Sequence, residues 1–426
     1  MGIRELNPAL ENVLNAQLDR IALEENLEKD VILSGIDAGT IVALGNPRHP
    51  NLTAIIVGQP ARVKINANLG TSPLQSCLQT ELEKIKAALD AKTDTIMDLS
   101  TSGDLDEIRV NMLKACPLPV GTVPIYSVAK ALADENRDIA SMTADELLAE
   151  IEKQCKQGVD FITVHCGLTK RGAMFGTKRD RVLGIVSRGG SMLTRWMIEN
   201  NRENPLLENF DRLLDICRPY NVTLSLGDGL RPGACADAGD AAQWEEVINL
   251  GELALHGLKH GVQCMIEGPG HMALNLVEGQ ITAIKRLTHN APLYVLGPLV
   301  CDSTPGYDHI AGAIGGAIGV TAGVDFLCYL TPAEHLTLPN ADDVKAGVMA
   351  SRVAAHAGEV ALGKKTALVR EADMNKARRN LDWEGMTKSA IDPDEVTRRR
   401  ESHKQEEVCA MCGKFCSVKM LRDIGK

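Results

Sequence analysis

Near the C-terminus, the stretch VCAMCGKFCSVKM (408–420) gathers Cys409, Cys412 and Cys416 within eight positions. Thiolates are soft ligands that hold zinc or iron–sulfur clusters. A structural zinc site takes four ligands, and His403 is placed to supply the fourth. A [4Fe–4S] cluster normally takes four thiolates, so one held by three keeps an iron open to a further ligand. S-adenosylmethionine (SAM) chelates such an iron through its amino and carboxylate groups. Electron transfer then cleaves its sulfonium to a deoxyadenosyl radical. The spacing leaves three readings open: a zinc knuckle, a cluster, or an incidental group of thiols.

Other chemistry-bearing residues stand in turns. His271 closes EGPGH and His335 closes PAEH. Imidazole suits zinc or iron, which makes the two candidates for a second metal, although a single histidine in such a turn is more often a hydrogen-bonding residue. SRGG (187–190) and DGLRPG (228–233) each set a guanidinium beside glycine backbone. That pairing suits a phosphate or another anion; the blander reading is two glycine turns.

These residues must be carried on a frame. From residue 62 short apolar runs recur: 63–70, 94–100, 120–126, 161–167, 183–190, 222–229, 262–271, 293–299 and 324–332. Helical-period segments such as LQTELEKIKAALDA and ADELLAEIEKQCKQ lie between most of them. Near-continuous apolar strands alternating with helices predict a parallel sheet covered on its faces. About eight such units over about 270 residues predict a (β/α)8 barrel, with a doubly wound open sheet as the competing α/β fold. One of the nine runs must then lie outside the barrel or extend another strand. Asn68, Asp98, Tyr126, His165, Ser187, Arg188, Asp228, Arg231, Glu267, His271 and Tyr294 fall at or near the C-terminal ends of these runs. In a barrel those ends converge on one face, where active sites lie.

The expected organisation is an N-terminal helical and loop region over 1–61, the barrel over 62–360, and a charged helical C-terminal domain over 361–426 carrying the cysteine motif. A net charge of −10 argues against a general nucleic-acid binder, and an aromatic content of 3% argues against base-stacking platforms. No apolar run reaches membrane-spanning length. The N-terminal residues carry charges throughout and do not read as a secretory signal. Nine of the twelve cysteines are scattered through apolar stretches without framework spacing, which predicts a reduced, cytoplasmic protein.

In order along the chain, VKINANLGTS, IMDLSTSGDLDEIR, VGTVPIY, SRGGS, LSLGDGLRPG, IEGPGH, PGYDH, CYLTPAEHL and the terminal C-x-x-C-x-x-x-C closely resemble the phosphomethylpyrimidine synthase family of thiamine biosynthesis. The resemblance covers roughly residues 60–426. It implies a radical SAM enzyme whose barrel binds aminoimidazole ribotide and whose tail cysteines, Cys409, Cys412 and Cys416, hold a [4Fe–4S] cluster. Carried over by motif, the substrate site would comprise Asn68, Met97, Tyr126, His165, Ser187, Arg188, Gly189, Asp228, Gly229, Leu230, Arg231, Glu267 and Tyr294. Glu267 and His165 would move protons. His271 and His335 would hold zinc or another divalent metal, with His309 of GYDH outside the pair. The resemblance also implies an electron donor such as flavodoxin or ferredoxin, and a homodimer with exchanged tails.

Some positions depart from the pattern. The family typically reads EGPGHVP, TDIAPGYDH and HLGLP, whereas Met272, Ala273, Cys301, Ser303, Thr304 and Thr337 stand here. The usual N-terminal G-x-x-T-x-E-M and IPAN stretches are also missing. The departures lie beside the catalytic motifs and leave the nucleotide-binding motifs intact. They lead to the expectation of a paralogue, 5-hydroxybenzimidazole synthase, which takes the same substrate to the lower ligand of cobamides by a ring-expanding rearrangement. The alternatives are the thiamine enzyme itself and, more distantly, a non-radical zinc protein.

Overall fold

The computed structural model describes residues 2–178 and 181–422. Two short strands, Val42–Leu44 (β1) and Ile55–Val57 (β2), pair antiparallel. Eight more follow: Lys64–Leu69 (β3), Thr95–Asp98 (β4), Val120–Thr122 (β5), Phe161–Val164 (β6), Thr223–Leu226 (β7), Cys264–Gly268 (β8), Leu293–Leu296 (β9) and Phe326–Cys328 (β10). These eight form a closed parallel barrel in the order β10-β3-β4-β5-β6-β7-β8-β9. Pairing of β10 with both β9 and β3 closes the ring, which excludes the open sheet. The strands read as continuous apolar runs because helices cover their outer faces while side chains fill the inside.

The run at 183–190 is not a strand. Gly184 sits at φ +63°, Leu183 and Val186 are exposed, and Ser187 caps the helix Arg188–Asn200 by accepting the Gly190 N–H at 3.1 Å. The residues before the cap turn at Gly184 and face solvent instead of pairing in the barrel. The run at 120–126 is likewise cut at Thr122, because Pro124 opens the helix Pro124–Asp134. Tyr126 therefore projects from a first helical turn rather than from a strand end.

Aromatic rings fill the barrel's middle. Phe161 on β6 and Phe326 on β10 meet edge to face at 6.4 Å between centroids. Those strands lie opposite each other in the ring, so the two rings can meet only through the interior. Tyr294 stacks on Phe326 at 4.3 Å. Gly121 makes room for this layer: a Cβ there would lie 2.2 Å from the Phe161 ring.

The N-terminal segment belongs to the barrel's lower end. In β1, Val42 and Leu44 join the barrel core, while Ala43 joins a separate N-terminal core with Leu10, Val13 and Ile32. In β2, Ile55 and Val57 face the barrel core and Ile56 the other. Period-two alternation thus divides one hairpin between two cores. Polar bonds tie it to residues just before three barrel strands. Asn46 N–H and His49 Nδ1 reach Asp160 at 2.7 and 2.6 Å, Asn221 donates to the Gly45 carbonyl at 2.8 Å, and Gln263 accepts the Ala43 N–H at 2.7 Å.

The chain divides into two compact units, Met1–Gly358 and Glu359–Lys426. In the second, the helices Lys365–Asn380, Trp383–Ser389 and Pro393–Arg400 precede the cysteine motif. The Arg400 guanidinium lies 3.8 Å over the Trp383 ring and donates to the Glu406 and Val408 carbonyls, while Trp383 Nε1 donates to the Glu407 carbonyl. This cross-link anchors the segment that leads directly into Cys409. No described helix is long and apolar enough to cross a membrane.

Candidate active site

The C-terminal ends of the barrel strands surround a cavity of about 280 Å³. It is lined by Asn68, Met97, Tyr126, His165, Ser187, Arg188, Asp228, Arg231, Glu267 and Tyr294, together with Leu99, Val123, Thr163, Val186, Gly268, Val295, Leu296, Cys328 and Glu334. Of the substrate residues expected from the sequence, Gly189, Gly229 and Leu230 lie behind this wall. A Cβ on Gly189 would fall 2.3 Å from His165 Cε1, so its glycine lets the imidazole seat. Leu230 is fully buried, and its N–H donates to Glu246 Oε2 at 2.7 Å.

The cavity walls are polar and deeply desolvated. Glu267 Oε1 accepts the Thr163 and Ser225 hydroxyls at 2.6 and 2.7 Å. Burial raises the Glu267 pKa, against those two hydrogen bonds and the nearby Arg231. Burial pushes Asp228 further, up to about 8, with Glu267 adding repulsion and Arg231 opposing. Asp228 Oδ1 meets Arg231 at 3.1 Å, whereas its buried Oδ2 has no hydrogen-bond partner. Burial, reinforced by Arg231, lowers His165 to about 3, so its imidazole is neutral. Its Nε2 lies 3.0 Å from Ser187 Oγ.

One rim of the cavity is cationic. Arg188 opens the helix Arg188–Asn200 and lies 4.8 Å over the Tyr126 ring. The first N–H groups of a helix, beside a guanidinium, suit an anion. At the floor, Asn66 donates to Asn68 Oδ1 at 2.7 Å and to Tyr294 Oη at 2.8 Å, and Asn68 donates to Cys328 Sγ at 3.0 Å.

Several of these residues escape a motif-based reading. Thr163 and Ser225 sit inside apolar strands, in register with each other across β6 and β7. Their signal is a hydroxyl interrupting a buried strand. Glu334 and Cys328 lie in motifs already noted, but only closure of the ring turns them inward.

His271 and His335, far apart in sequence, come together with ring centroids 5.3 Å apart. His271 Nδ1 lies 2.8 Å from Asp302 Oδ1, and His335 Nδ1 lies 3.4 Å from Asp308 Oδ1. A carboxylate on each Nδ1 leaves each Nε2 for a metal, the arrangement that metal-bound histidines use. Asp308, not His309, is the GYDH residue facing the pair. Glu334 adjoins His335 and lines the cavity, which puts the pair at its edge. Asp302 also accepts the Cys235 N–H at 2.8 Å, a contact the sequence does not disclose.

In the second unit, Cys409, Cys412 and Cys416 are free thiols. The backbone N–H groups of Met411 and Cys412 lower the Cys409 pKa, which favours the ligating thiolate. The three sulfurs do not all lie within 4.8 Å of one another. In a tetrahedral zinc site, Zn–S bonds of about 2.3 Å would set them about 3.8 Å apart. A cluster, whose thiolates bind different irons, accommodates the wider arrangement.

The profile of the radical SAM ThiC family matches residues 4–423. The chain belongs to the radical SAM ThiC family. Membership implies a [4Fe–4S] cluster and SAM, and the cysteine motif is the donor set that fits the cluster. A phosphomethylpyrimidine synthase from Desulforudis audaxviator (strain MP104C) is 47% identical over 429 residues, covering 100% of this chain and 99% of that protein. Another, from Desulforamulus reducens, is 48% identical over 410 residues, covering 96% and 95%. Among solved structures, a Coxiella burnetii dihydropteroate synthase in complex with pteroic acid aligns with a TM-score of 0.44 at 11% identity, covering 75% of this chain and 99% of that one. A likeness at that level carries no functional meaning. The family is thus radical SAM, as the motifs lead one to expect, and the relatives bear the name of the thiamine enzyme rather than of the cobamide paralogue.

Proposed function

We propose that this chain rearranges aminoimidazole ribotide to the phosphorylated hydroxymethylpyrimidine of thiamine. The cavity supports the substrate, because it opposes a cationic helix start to a cluster of desolvated carboxyl groups. The observation that carries the choice of product is the similarity to two phosphomethylpyrimidine synthases, 47% and 48% identical over 100% and 96% of this chain. Arg188, Ser187 and the first N–H groups of the helix Arg188–Asn200 bind the phosphate. Asp228, with its unpartnered Oδ2, and Arg231 hold the ribose hydroxyls. Asn68, Met97 and Tyr294 position the base above the aromatic floor.

Glu267 moves a proton through its Oε2, because Thr163 and Ser225 occupy Oε1. His165, neutral and weakly basic, holds Ser187 in place rather than carrying charge. His271 and His335 would hold a divalent metal such as zinc, which when bound would supply Lewis-acid polarisation of an oxygen. Cys409, Cys412 and Cys416 hold the cluster, which when bound supplies the electron that cleaves SAM. Burial of the polar lining keeps bulk water from the reacting atoms, which protects a radical reaction from quenching. An electron donor such as flavodoxin or ferredoxin and a homodimer with exchanged tails complete the proposal.

A second reading, 5-hydroxybenzimidazole synthase, rests on one observation. Met272 is fully buried directly after His271, and its N–H donates to the Leu299 carbonyl at 2.9 Å, next to the substituted Cys301, Ser303 and Thr304. The departures therefore cluster behind one metal ligand. Anaerobic incubation of the reconstituted, reduced protein with SAM and aminoimidazole ribotide separates the readings by product mass and fluorescence. The thiamine pyrimidine is expected. A benzimidazole would transfer the assignment to the second reading, and absence of 5′-deoxyadenosine would overturn both.

A further inference from the structure

We propose that Asp211, His256 and His260 form a further metal site, distinct from the cysteine motif and the His271–His335 pair, which takes a transition-metal dication such as Zn²⁺. His256 stands in the last turn of the helix Ala241–Lys259, and His260 is its C-cap. Residues four apart share a helix face. The two imidazoles stack with centroids 4.2 Å apart. Asp211 comes from the first turn of another helix, Phe210–Cys217, and its Oδ1 lies 2.6 Å from His256 Nε2. One ligand atom from each of the three residues lies within 4.8 Å of the other two. No other three His, Cys, Asp or Glu among the described residues do so.

The surroundings prepare these donors. His260 Nδ1 lies 2.8 Å from the His256 carbonyl, which can only accept, so Nδ1 carries the proton. In the neutral ring Nε2 then presents its lone pair. An outer hydrogen bond of this kind fixes the tautomer of metal-bound histidines. Phe210 packs against His256 at 5.9 Å and restrains the ring. Two imidazoles and a carboxylate are a zinc donor set, with water as the fourth ligand. Mg²⁺ and Ca²⁺ prefer all-oxygen sites. The Asp211 side chain is 75% exposed, so packing does not fix its rotamer. It can open the 2.6 Å contact to the roughly 3.3 Å that two ligands on a tetrahedral ion require.

The two helices lead into β7 and β8, and none of the three residues lines the cavity. The cation therefore ties helix to helix and acts on stability rather than turnover. The test is a Zn²⁺ titration of the holoenzyme, with its cluster and His271–His335 metal in place, by calorimetry and thermal unfolding. Wild type should take up one more equivalent than the His256→Gln/His260→Gln double variant, and Zn²⁺ should raise its Tm but not the variant's. Asp211→Asn should weaken this uptake by at least about tenfold, Mg²⁺ should give neither effect, and turnover should be unchanged throughout. Equal Zn²⁺ uptake, or an equal Tm shift, in wild type and double variant would overturn the site. If the double variant fails to fold in chelator, Asp211→Asn becomes the comparison, and wild-type uptake by that variant overturns it.

Discussion

Asp228 and Glu267 show how burial turns ordinary carboxyl groups into reagents. Between its ordinary 3.8 and about 8, folded Asp228 keeps a proton that the unfolded chain has lost. Folding then binds protons, so its contribution to stability falls as pH rises through that window. Asp228→Asn should remove this slope: in denaturant titrations, wild type should lose stability relative to the variant from pH 5 to pH 8. Glu267→Gln keeps the shape of the side chain and both hydroxyl partners but cannot accept the proton. It should lower kcat by about 10²–10⁴ while substrate still binds, as read by single-turnover kinetics and calorimetry.

Two elements carry the site through close fits. The helix Arg188–Asn200 starts against His165, with Gly189 leaving the imidazole its space. Gly189→Ala would put a methyl 2.3 Å from Cε1, and the ring must move. We expect a loss of about 1–3 kcal/mol in stability and a raised KM, checked by unfolding and steady-state kinetics. The segment around β1 and β2 holds the other end of the barrel through His49 and Asp160, whose side chains are both fully buried. Burial alone would lower the His49 pKa, but the Asp160 hydrogen bond and charge, with the Cys116 and Leu113 carbonyls, raise it. His49→Ala leaves the buried Asp160 only its backbone N–H partners, Asn46 and Val120, and should cost about 3–5 kcal/mol, measured by denaturant unfolding.

At the scale of the molecule, the chain separates its tasks. One unit shapes the cavity and the histidine pair, and the other presents the thiols. Cys412→Ala should therefore lose iron and SAM cleavage while the barrel's denaturation midpoint stays unchanged. Iron analysis, 5′-deoxyadenosine assay and unfolding curves check the three expectations together. The barrel opens its cavity at the C-terminal strand ends, while the N-terminal segment ties down residues before β6, β7 and β8 at the other.

Much of this was legible in residue order alone. Alternating apolar runs and helical periods specify a barrel because both patterns are local and repeat at short range. The thiol spacing and the glycine-bounded arginines were equally visible, and all but three of the expected substrate residues line one cavity. The run at 183–190 misled because its apolar content matches a strand, while Ser187 and Gly190 commit it to a helix start. Tyr126 misled in the same way, through Pro124. Tertiary structure alone decided the rest: the approach of His271 to His335, the hydroxyls on Glu267, the elevated Asp228, and the hairpin shared between two cores. Each depends on atoms distant in sequence. Desolvation and charge are sums over everything nearby in space, and no spacing rule along the chain contains them.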